Sequence, residues 1–529
     1  MSLVPCPLYF AKWDCVKAPG LNDRKWVHID NMDPLTSVQS RELSRGPTWQ
    51  NKVDRVLALD LHAFHFDIHQ MSLDEKIGQL FIASAYPSDR EALSEGQPKN
   101  NRKYIQKLIK DYHIGGVLLK YYWEIEEEKR VIKEFQSLAD IPLLVSQDCE
   151  WGIAMRVKEV IPLPKNMGLG AIENLDLLYA VGEEIGRQCR IMGINYALGP
   201  VADVNCNPQN PIIGMRSFGD EPLKVSMKVD SVFKGIQSQG VIACAKHFPG
   251  HGDTEKDSHH ELPIITHSLK RLKRKEIYPF QQASDGGIQS IMTAHIVVKV
   301  LDEEPASLSR KVIQHYLREK IGFDGLVITD DLLMEAVDVP DVVLRAFKAG
   351  NDLILSAPDI PRGINSIKKS LAEGVITEPE IDEKLERIFR AKSWMAQERF
   401  EEEINPNIKA LNSCLYDEMI TVVKGPLKIE GTYRVRAAID CEFLSSLIDI
   451  SDDGQQLVVI RTAQDKVVEL IDDNTIVILL GSPYELPQLP DVPTILAYDS
   501  SLFAQKSVSK VLNGALIPLG EMPIRLKAK

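Results

Sequence analysis

Short apolar runs alternate along most of the chain with longer segments in which apolar residues recur every three or four positions. Eight such runs follow one another, at residues 77–83, 114–120, 141–146, 194–201, 241–245, 288–294, 325–329 and 352–356. Runs of this length between polar and glycine-containing segments are typical of strands buried on both faces. The alternation therefore predicts repeated βα units and a parallel sheet.

The clearest helical segment is 175–192, where apolar residues recur at steps of three and four and Gly193 follows as a stop signal. Eight strands with eight crossovers favour an α/β fold built on a closed (β/α)8 TIM-type barrel, which we predict over residues 71–395. A doubly wound open sheet is the alternative, because short apolar runs are easily miscounted.

The regions on either side of this barrel have a different pattern. Residues 1–70 show no sustained period, and we assign them only as an N-terminal extension of unknown role. A charged stretch that ends in Pro406 predicts a linker over residues 396–420. The strand-like runs QQLVVIR, NTIVILLGS and PTILAYDS follow, so residues 421–529 are predicted to form a smaller α/β domain.

Composition narrows the class of protein. The 529 residues carry a formal net charge of -13, which argues against nucleic acid or an anionic membrane surface as the main partner. No apolar run approaches the ~18 residues that a membrane span needs, and the N-terminus has no secretory signal pattern. The eight cysteines are scattered without a CxxC pair, which suits a reducing compartment. We therefore expect a cytoplasmic protein.

Ionisable residues follow several of the apolar runs at the point where each run ends. Asp148 comes shortly after the third run, Lys246 and His247 follow the fifth, His295 the sixth and Asp330 the seventh. In a (β/α)8 barrel the carboxyl ends of the strands gather at one face, where active sites lie. The repetition indicates one shared polar site.

The segment KHFPGHGDTEKDSHHELP, residues 246–263, is the densest in histidine and aspartate. It fits a solvated loop, a metal centre or an acid–base pair. Ligands for a metal are plentiful: His247, His251, Asp253, Asp257, His259, His260 and His295. No strong zinc motif is present, however. In an acid–base pair, Asp257 would orient His259 two residues further on. Spacing alone does not choose between the metal centre and the acid–base pair.

Four segments resemble glycoside hydrolase family 3, in its β-N-acetylglucosaminidase branch. The loop is similar, almost letter for letter, to KHFPGHGDTxxDSHxxLP of that branch. GFDGLVITDDLLMEAV (322–337) resembles the segment that carries the family's nucleophile. LGPVADVNCNPQNPIIGMRSFG (198–219) resembles a third signature, and AHIVV with PASLS (294–298 and 305–309) a fourth. The likeness runs in order from Met71 to about residue 395.

This resemblance implies a retaining exo-β-N-acetylglucosaminidase that needs no metal and no cofactor. It implies a covalent glycosyl-enzyme on Asp330, with His259, paired with Asp257, as the general acid/base. A histidine suits that role because its ordinary pKa of roughly 6.5 lies near neutral pH. Sugar recognition would fall to charged residues that can hold hydroxyl groups: Asp148, Arg156, Arg216, Lys246 and His247.

Two features depart from the family's pattern. The acidic segment DxEGGxVxR is DCEWGIAMR here, with Trp151 where a glycine is common, so we expect a different shape for the loop beside Asp148. The C-terminal region resembles a shortened version of the family's second domain. We interpret Asp331, which follows the implied nucleophile, as structural.

The expected substrate is a small carbohydrate with a terminal β-linked N-acetylglucosamine, and the cytoplasmic prediction points to muropeptides from peptidoglycan recycling. Neither nucleic acid nor a membrane span is expected. One alternative is a β-glucosidase of the same family, and another is a metal-dependent hydrolase that uses the His/Asp-rich loop. A third is a barrel that binds sugar without turnover.

Overall fold

The computed structural model describes residues 67–87, 101–258, 261–395, 404, 407–425, 427 and 431–525. The first of its two large sheets has eight strands. They are β1 (Phe81–Ala85), β2 (Gly116–Leu119), β3 (Leu144–Gln147), β4 (Tyr196–Ala197), β5 (Ile242–Phe248), β6 (Ser290–Thr293), β7 (Leu326–Thr329) and β8 (Ile354–Leu355). One strand lies in or next to each of the eight apolar runs, which confirms the predicted strands.

This sheet closes on itself. Its neighbouring strands are all parallel, in the order β8-β1-β2-β3-β4-β5-β6-β7. Phe81 of β1 pairs with Ile354 of β8, and a parallel bridge between Ile328 and Leu353 joins β7 to the start of β8. The fold is therefore a (β/α)8 TIM-type barrel, and the doubly wound alternative is wrong.

Helices precede, separate and follow these strands in sequence. They are α1 (Leu73–Gly78), α2 (Arg102–Tyr112), α3 (Ile125–Leu138), α4 (Asn166–Leu169), α5 (Leu175–Met192), α6 (Pro222–Ser238), α7 (Leu269–Arg274), α8 (Tyr278–Asp285), a π-helix (Lys311–Ile321), α9 (Val342–Ala349), α10 (Ile360–Ala372) and α11 (Glu378–Trp394). Helix α5 agrees with the predicted segment at both ends. The Asn174 side chain accepts hydrogen bonds from the first amides of the helix, and Gly193 ends it with a φ of 89°.

The first apolar run contains a boundary that its pattern did not predict. Ile77 and Gly78 belong to the end of α1, and the strand begins only at Phe81. The helix begins with a capping box, in which Ser72 and Glu75 exchange hydrogen bonds. Since Ile77 and Gly78 are buried like the strand that follows, hydrophobicity did not separate the two elements.

The second large sheet has six strands and belongs to the C-terminal part of the chain. They are β9 (Thr421–Val423), β10 (Thr432–Ala437), β11 (Asp449–Ile450), β12 (Gln455–Ile460), β13 (Ile476–Leu479) and β14 (Thr494–Leu496), in the order β9-β14-β13-β12-β10-β11. Only β9 is antiparallel to its neighbour. The helices α12 (Ile408–Met419), α13 (Glu442–Ser445) and α14 (Leu502–Leu512) accompany it, and α12 occupies part of the segment predicted as a linker. The predicted α/β character of this region is confirmed.

Hydrogen bonds tie the end of this second region to loops of the barrel. The Glu521 amide donates to the Ala171 carbonyl at 2.9 Å, and the Asp220 amide donates to the Pro523 carbonyl at 3.2 Å. The Arg525 amide returns to the Asp220 carboxylate at 2.9 Å. The last described residues therefore pack directly on the barrel.

Part of the sequence predictions lies outside the described residues. These are the N-terminal extension up to residue 66, the pair His259 and His260, and residues 396–403, 405 and 406 of the predicted linker. Within the ranges that the structure covers, no helix is both long enough and apolar enough to cross a membrane.

Candidate active site

Charged side chains gather at the carboxyl ends of the barrel strands. Asp148 directly follows β3, Lys246 lies near the end of β5, and Asp330 directly follows β7. Arg156 and Arg216 belong to the loops that follow β3 and β4. The strand order thus brings residues that are far apart in sequence to one face of the barrel.

Two carboxylates and three cations form a network at this face. Arg156 Nη2 donates to Asp148 Oδ2 at 2.6 Å, and Lys246 Nζ donates to Asp148 Oδ1 at 2.9 Å. Lys246 Nζ also lies 2.9 Å from Glu150 Oε1. Arg216 binds Glu150 with two parallel hydrogen bonds of 2.7 and 2.9 Å. The network links four residues that the sequence singled out, Asp148, Arg156, Lys246 and Arg216. Glu150, which was not among them, joins Arg216 to the others.

The cations keep both carboxylates ionised. Burial alone would raise the pKa of Asp148, but Lys246 and Arg156 outweigh it and hold that pKa far below its ordinary range. Glu150 is also buried, and Arg216 and Lys246 lower its pKa to about 2. The same carboxylates raise the pKa of Lys246 against its burial. The face therefore presents fixed charges of both signs at neutral pH.

His247 is oriented by a buried aspartate that sequence reasoning missed. Its Nδ1 lies 2.7 Å from Oδ2 of Asp203, and its backbone amide also donates to this carboxylate at 3.2 Å. An ionised carboxylate only accepts, so Nδ1 carries the proton and Nε2 remains on the side of Arg216, 3.5 Å away. Asp203 belongs to the segment that resembled the family's third signature. A charged residue in an apolar stretch was the sequence signal that could have identified it.

Asp330 lies among groups that favour its ionised form. The Asp331 amide donates to Asp330 Oδ1 at 2.8 Å. Burial works to raise the pKa of Asp330, but the charges of His247, His295 and Lys246 and the Asp331 amide hold it below its ordinary value. A half-buried carboxylate that stays ionised at neutral pH has the properties of a nucleophile.

The neighbouring Asp331 has a different environment. Lys120 donates to its carboxylate, and His295 Nε2 lies 3.0 Å from its backbone carbonyl. Because a carbonyl only accepts, Nε2 of His295 carries the proton. Burial lowers the pKa of His295, and its Nδ1 lies 2.7 Å from the Ser307 hydroxyl oxygen.

The loop after β5 packs closely against the loop after β4. A Cβ on Gly252 would lie 1.9 Å from the Val204 carbonyl oxygen, and Gly250 has a φ of +126° and lies against Glu276. The loop continues to Asp257, which is half-buried. His259, the implied acid/base, lies outside the described residues.

One group near this loop has the spacing of metal ligands. Possible ligand atoms of Asp253, His267 and Glu276 lie within 4.8 Å of one another. Arg271 Nη2 already lies between the two carboxylates, 2.5 Å from Asp253 and 3.2 Å from Glu276, and His267 binds Asp253. Ion pairing thus accounts for the arrangement. His247, His251 and His295, which sequence reasoning considered as ligands, bind other protein groups. These groups are Asp203 for His247, Thr254 and Ser258 for His251, and Ser307 for His295.

The second region of the chain reaches the same face of the barrel. The Asn205 side-chain amide donates to the hydroxyl of Tyr484, which lies in the short 3-10 helix Pro483–Gln488. Asn205 is 1% exposed and is two residues from Asp203. The C-terminal region therefore supports the loop that orients His247.

Known proteins share this fold and its sequence segments. A beta-N-acetylglucosaminidase/beta-glucosidase of Cellulomonas fimi is 30% identical over 345 residues, which are 62% of this chain and 59% of that protein. A beta-hexosaminidase of Bordetella avium is 32% identical over 256 residues, which are 46% of this chain and 73% of that protein. This chain thus spans less than two thirds of the Cellulomonas protein.

A solved structure extends the likeness over both regions. A glycoside hydrolase family 3 beta-N-acetylglucosaminidase from Paenibacillus sp. superimposes with a TM-score of 0.73 and 27% identity, over 87% of this chain and 100% of that one. Residues 72–391 match the glycosyl hydrolase family 3 N terminal domain, which is more than half of the chain. The protein therefore belongs to glycosyl hydrolase family 3.

Proposed function

We propose that the protein is a retaining exo-β-N-acetylglucosaminidase that removes terminal β-linked N-acetylglucosamine. The observation that carries the proposal is the ionised Asp330 at the end of β7, beside His247 and Lys246. The names of the Cellulomonas, Bordetella and Paenibacillus proteins support this choice of sugar.

In the first step, an Asp330 oxygen attacks the anomeric carbon while His259 gives its proton to the departing glycosidic oxygen. The sugar is then bound to Asp330 as an ester, and the aglycone leaves as an alcohol. In the second step, neutral His259 takes a proton from water, which attacks the anomeric carbon and releases Asp330. Two displacements at one carbon restore the β configuration.

Asp257 is proposed to hold the His259 ring and to stabilise its protonated form, as a carboxylate does in a hydrolytic triad. Unlike a carboxylate in the same role, a histidine acid/base carries no negative charge of its own beside the Asp330 nucleophile. The ordinary pKa of an imidazole, roughly 6.5, also lies near neutral pH.

The charge network is proposed to bind the sugar. Asp148 accepts from Arg156 and Lys246 and is about one fifth exposed, with 21% of its side-chain surface accessible. It can therefore accept further hydrogen bonds from sugar hydroxyls, while Arg156, Arg216 and Lys246 act as donors and His247 offers its Nε2.

Mass analysis of a trapped intermediate tests the nucleophile. A 5-fluoro or 2-deoxy-2-fluoro glycoside is expected to label the peptide that contains Asp330, and a label on another residue would overturn the proposal. We further expect Asp330→Ala to lower kcat by about 10³-fold or more. Asp338→Asn, which changes an exposed carboxylate on the same loop, should retain wild-type activity.

A β-glucosidase is the second candidate, because the Cellulomonas relative carries both activities in its name. Rates on 4-nitrophenyl β-N-acetylglucosaminide and 4-nitrophenyl β-glucoside separate the candidates, and we expect hydrolysis of the first alone. The metal-dependent alternative predicts loss of activity on exhaustive chelation.

The biological substrate is proposed to be a muropeptide derived from peptidoglycan, acted on in the cytoplasm. The scattered cysteines support a reducing compartment, and the six that the structure describes form no disulfide. Release of N-acetylglucosamine from N-acetylglucosaminyl-anhydromuramic acid fragments tests this substrate.

A further inference from the structure

The loop between β5 and the proposed acid/base pair makes a short excursion into solvent. Thr254 and Ser258 are each only 2% exposed, whereas Glu255 and Lys256 between them are exposed. The chain therefore leaves the interior after Thr254 and returns to it at Ser258, which is the residue between Asp257 and His259.

A single imidazole binds both ends of this excursion. Nδ1 of His251 lies 2.9 Å from the Thr254 hydroxyl oxygen, and Nε2 lies 3.0 Å from the Ser258 hydroxyl oxygen. A neutral imidazole has one donor and one acceptor, and a hydroxyl group can serve as the partner of either. Burial lowers the pKa of His251 to about 4, so the ring is neutral at neutral pH and both bonds can be made.

The imidazole is itself held from several sides. The His251 amide donates to Asp203 Oδ1 at 2.6 Å, and Asn210 Nδ2 donates to the His251 carbonyl at 2.8 Å. The same Asn210 group lies 3.2 Å from Thr254 Oγ1. Asp203 also orients His247. The same carboxylate therefore holds both this loop and the proposed sugar-binding histidine.

We propose that His251 is a positioning residue for protonation of the leaving group. Its hydrogen bond to Ser258 holds the main chain at the residue next to Asp257, without touching the substrate. This inference rests on the proposed function. Loss of the Ser258 hydroxyl would loosen the acid/base pair, while the nucleophile keeps its own contacts. Glycosides with poor leaving groups depend most on protonation, so their rate of hydrolysis should fall most.

The test compares two β-N-acetylglucosaminides, one with a 4-nitrophenyl and one with a sugar leaving group. We expect Ser258→Ala to raise the ratio of kcat/KM for the activated over the unactivated substrate by about tenfold or more, since general acid catalysis contributes about 10²–10⁴-fold. The matched control is Ser307→Ala. Ser307 is also buried and binds the ring of His295. That ring contacts the Asp331 carbonyl, next to the nucleophile, and not the loop of the acid/base pair, so the ratio should stay within about twofold.

The outcomes separate this inference from the proposed function. An unchanged ratio in folded Ser258→Ala, as judged by thermal unfolding, would overturn the role of His251. An equal rise in both variants would overturn it as well, because the effect would then be general. Full activity of Asp330→Ala in the same assays would instead overturn the proposed function.

Discussion

The two ends of the barrel each carry a group of charges around buried carboxylates. At the amino ends of β7 and β8, Asp352 accepts from Arg318 Nη2 at 2.5 Å, from Arg387 Nη1 at 3.1 Å and from the Val327 amide at 2.8 Å. The Asp352 side chain is fully buried, and that of Arg318 is 6% exposed. Both carboxylate oxygens at this end are therefore occupied by protein donors.

The charges at the carboxyl ends are paired but less enclosed. The side chains of Asp148, Arg156 and Arg216 are 21%, 24% and 23% exposed, although their ion pairs are as short as those of Asp352. Similar chemistry thus serves two purposes. A closed network can only hold the barrel together, whereas an open one can also exchange part of its pairing for a ligand.

The largest expected effect is on stability, at the closed end. Asp352→Asn should lower the free energy of unfolding by about 3–5 kcal/mol, because it leaves Arg318 buried without its full counter-charge. The kcat/KM of the folded variant should match the wild type. Chemical denaturation and kinetics at low temperature measure both quantities.

Asp324→Asn is the matched control, since Asp324 also binds Arg387 but is 71% exposed. We expect a change within about 0.5 kcal/mol there. Equal losses in both variants would remove the distinction between a buried and an exposed partner of Arg387.

The next effect is on activity, at the open end. Asp148→Asn should lower kcat/KM by about 10²-fold, because a neutral amide is a weaker acceptor for sugar hydroxyls than a carboxylate. Its loss of stability should be smaller than that of Asp352→Asn, since Lys246 keeps Glu150 as a partner. If Asp148→Asn unfolds as readily as Asp352→Asn but hydrolyses the substrate at the wild-type rate, the comparison of the two ends is reversed.

The last prediction, the smallest per pH unit, concerns a buried carboxyl group whose pKa is raised by burial. Glu128 is fully buried and accepts a hydrogen bond from Gln147 at 3.0 Å, and burial raises its pKa from 4.5 to about 8. The folded state therefore holds this proton more tightly than the unfolded state, so its contribution to stability is lost as pH rises from 4.5 toward 8.

Glu128→Gln carries no such proton. Over that pH range its free energy of unfolding should rise relative to the wild type by about 1 kcal/mol per pH unit. Urea denaturation at pH 5, 6 and 7 measures the slope. Parallel pH profiles of the two proteins would show that Glu128 does not bind a proton on folding.

The sequence predicted the barrel well because each buried strand needs a continuous apolar run. It was less informative where a buried residue is polar. Asp203 and Glu150 are 0% and 3% exposed, and their importance comes from partners in other βα units, His247 and Arg216. Nothing in local spacing reveals such pairing. The same holds for His251, which the sequence offered as a metal ligand and the structure pairs with two hydroxyl groups.

The hydrogen bonds near Pro523 have a consequence for synthesis of the chain. Ala171 and Asp220 are made more than 300 residues before their partners Glu521, Pro523 and Arg525. A ribosome releases the amino end of the chain first, so each of these hydrogen bonds forms only after its C-terminal partner has emerged. Until then, the backbone groups of Ala171 and Asp220 lack these partners, although the barrel is otherwise complete. A nascent chain stalled before residue 521 would therefore expose that surface to chaperones and proteases.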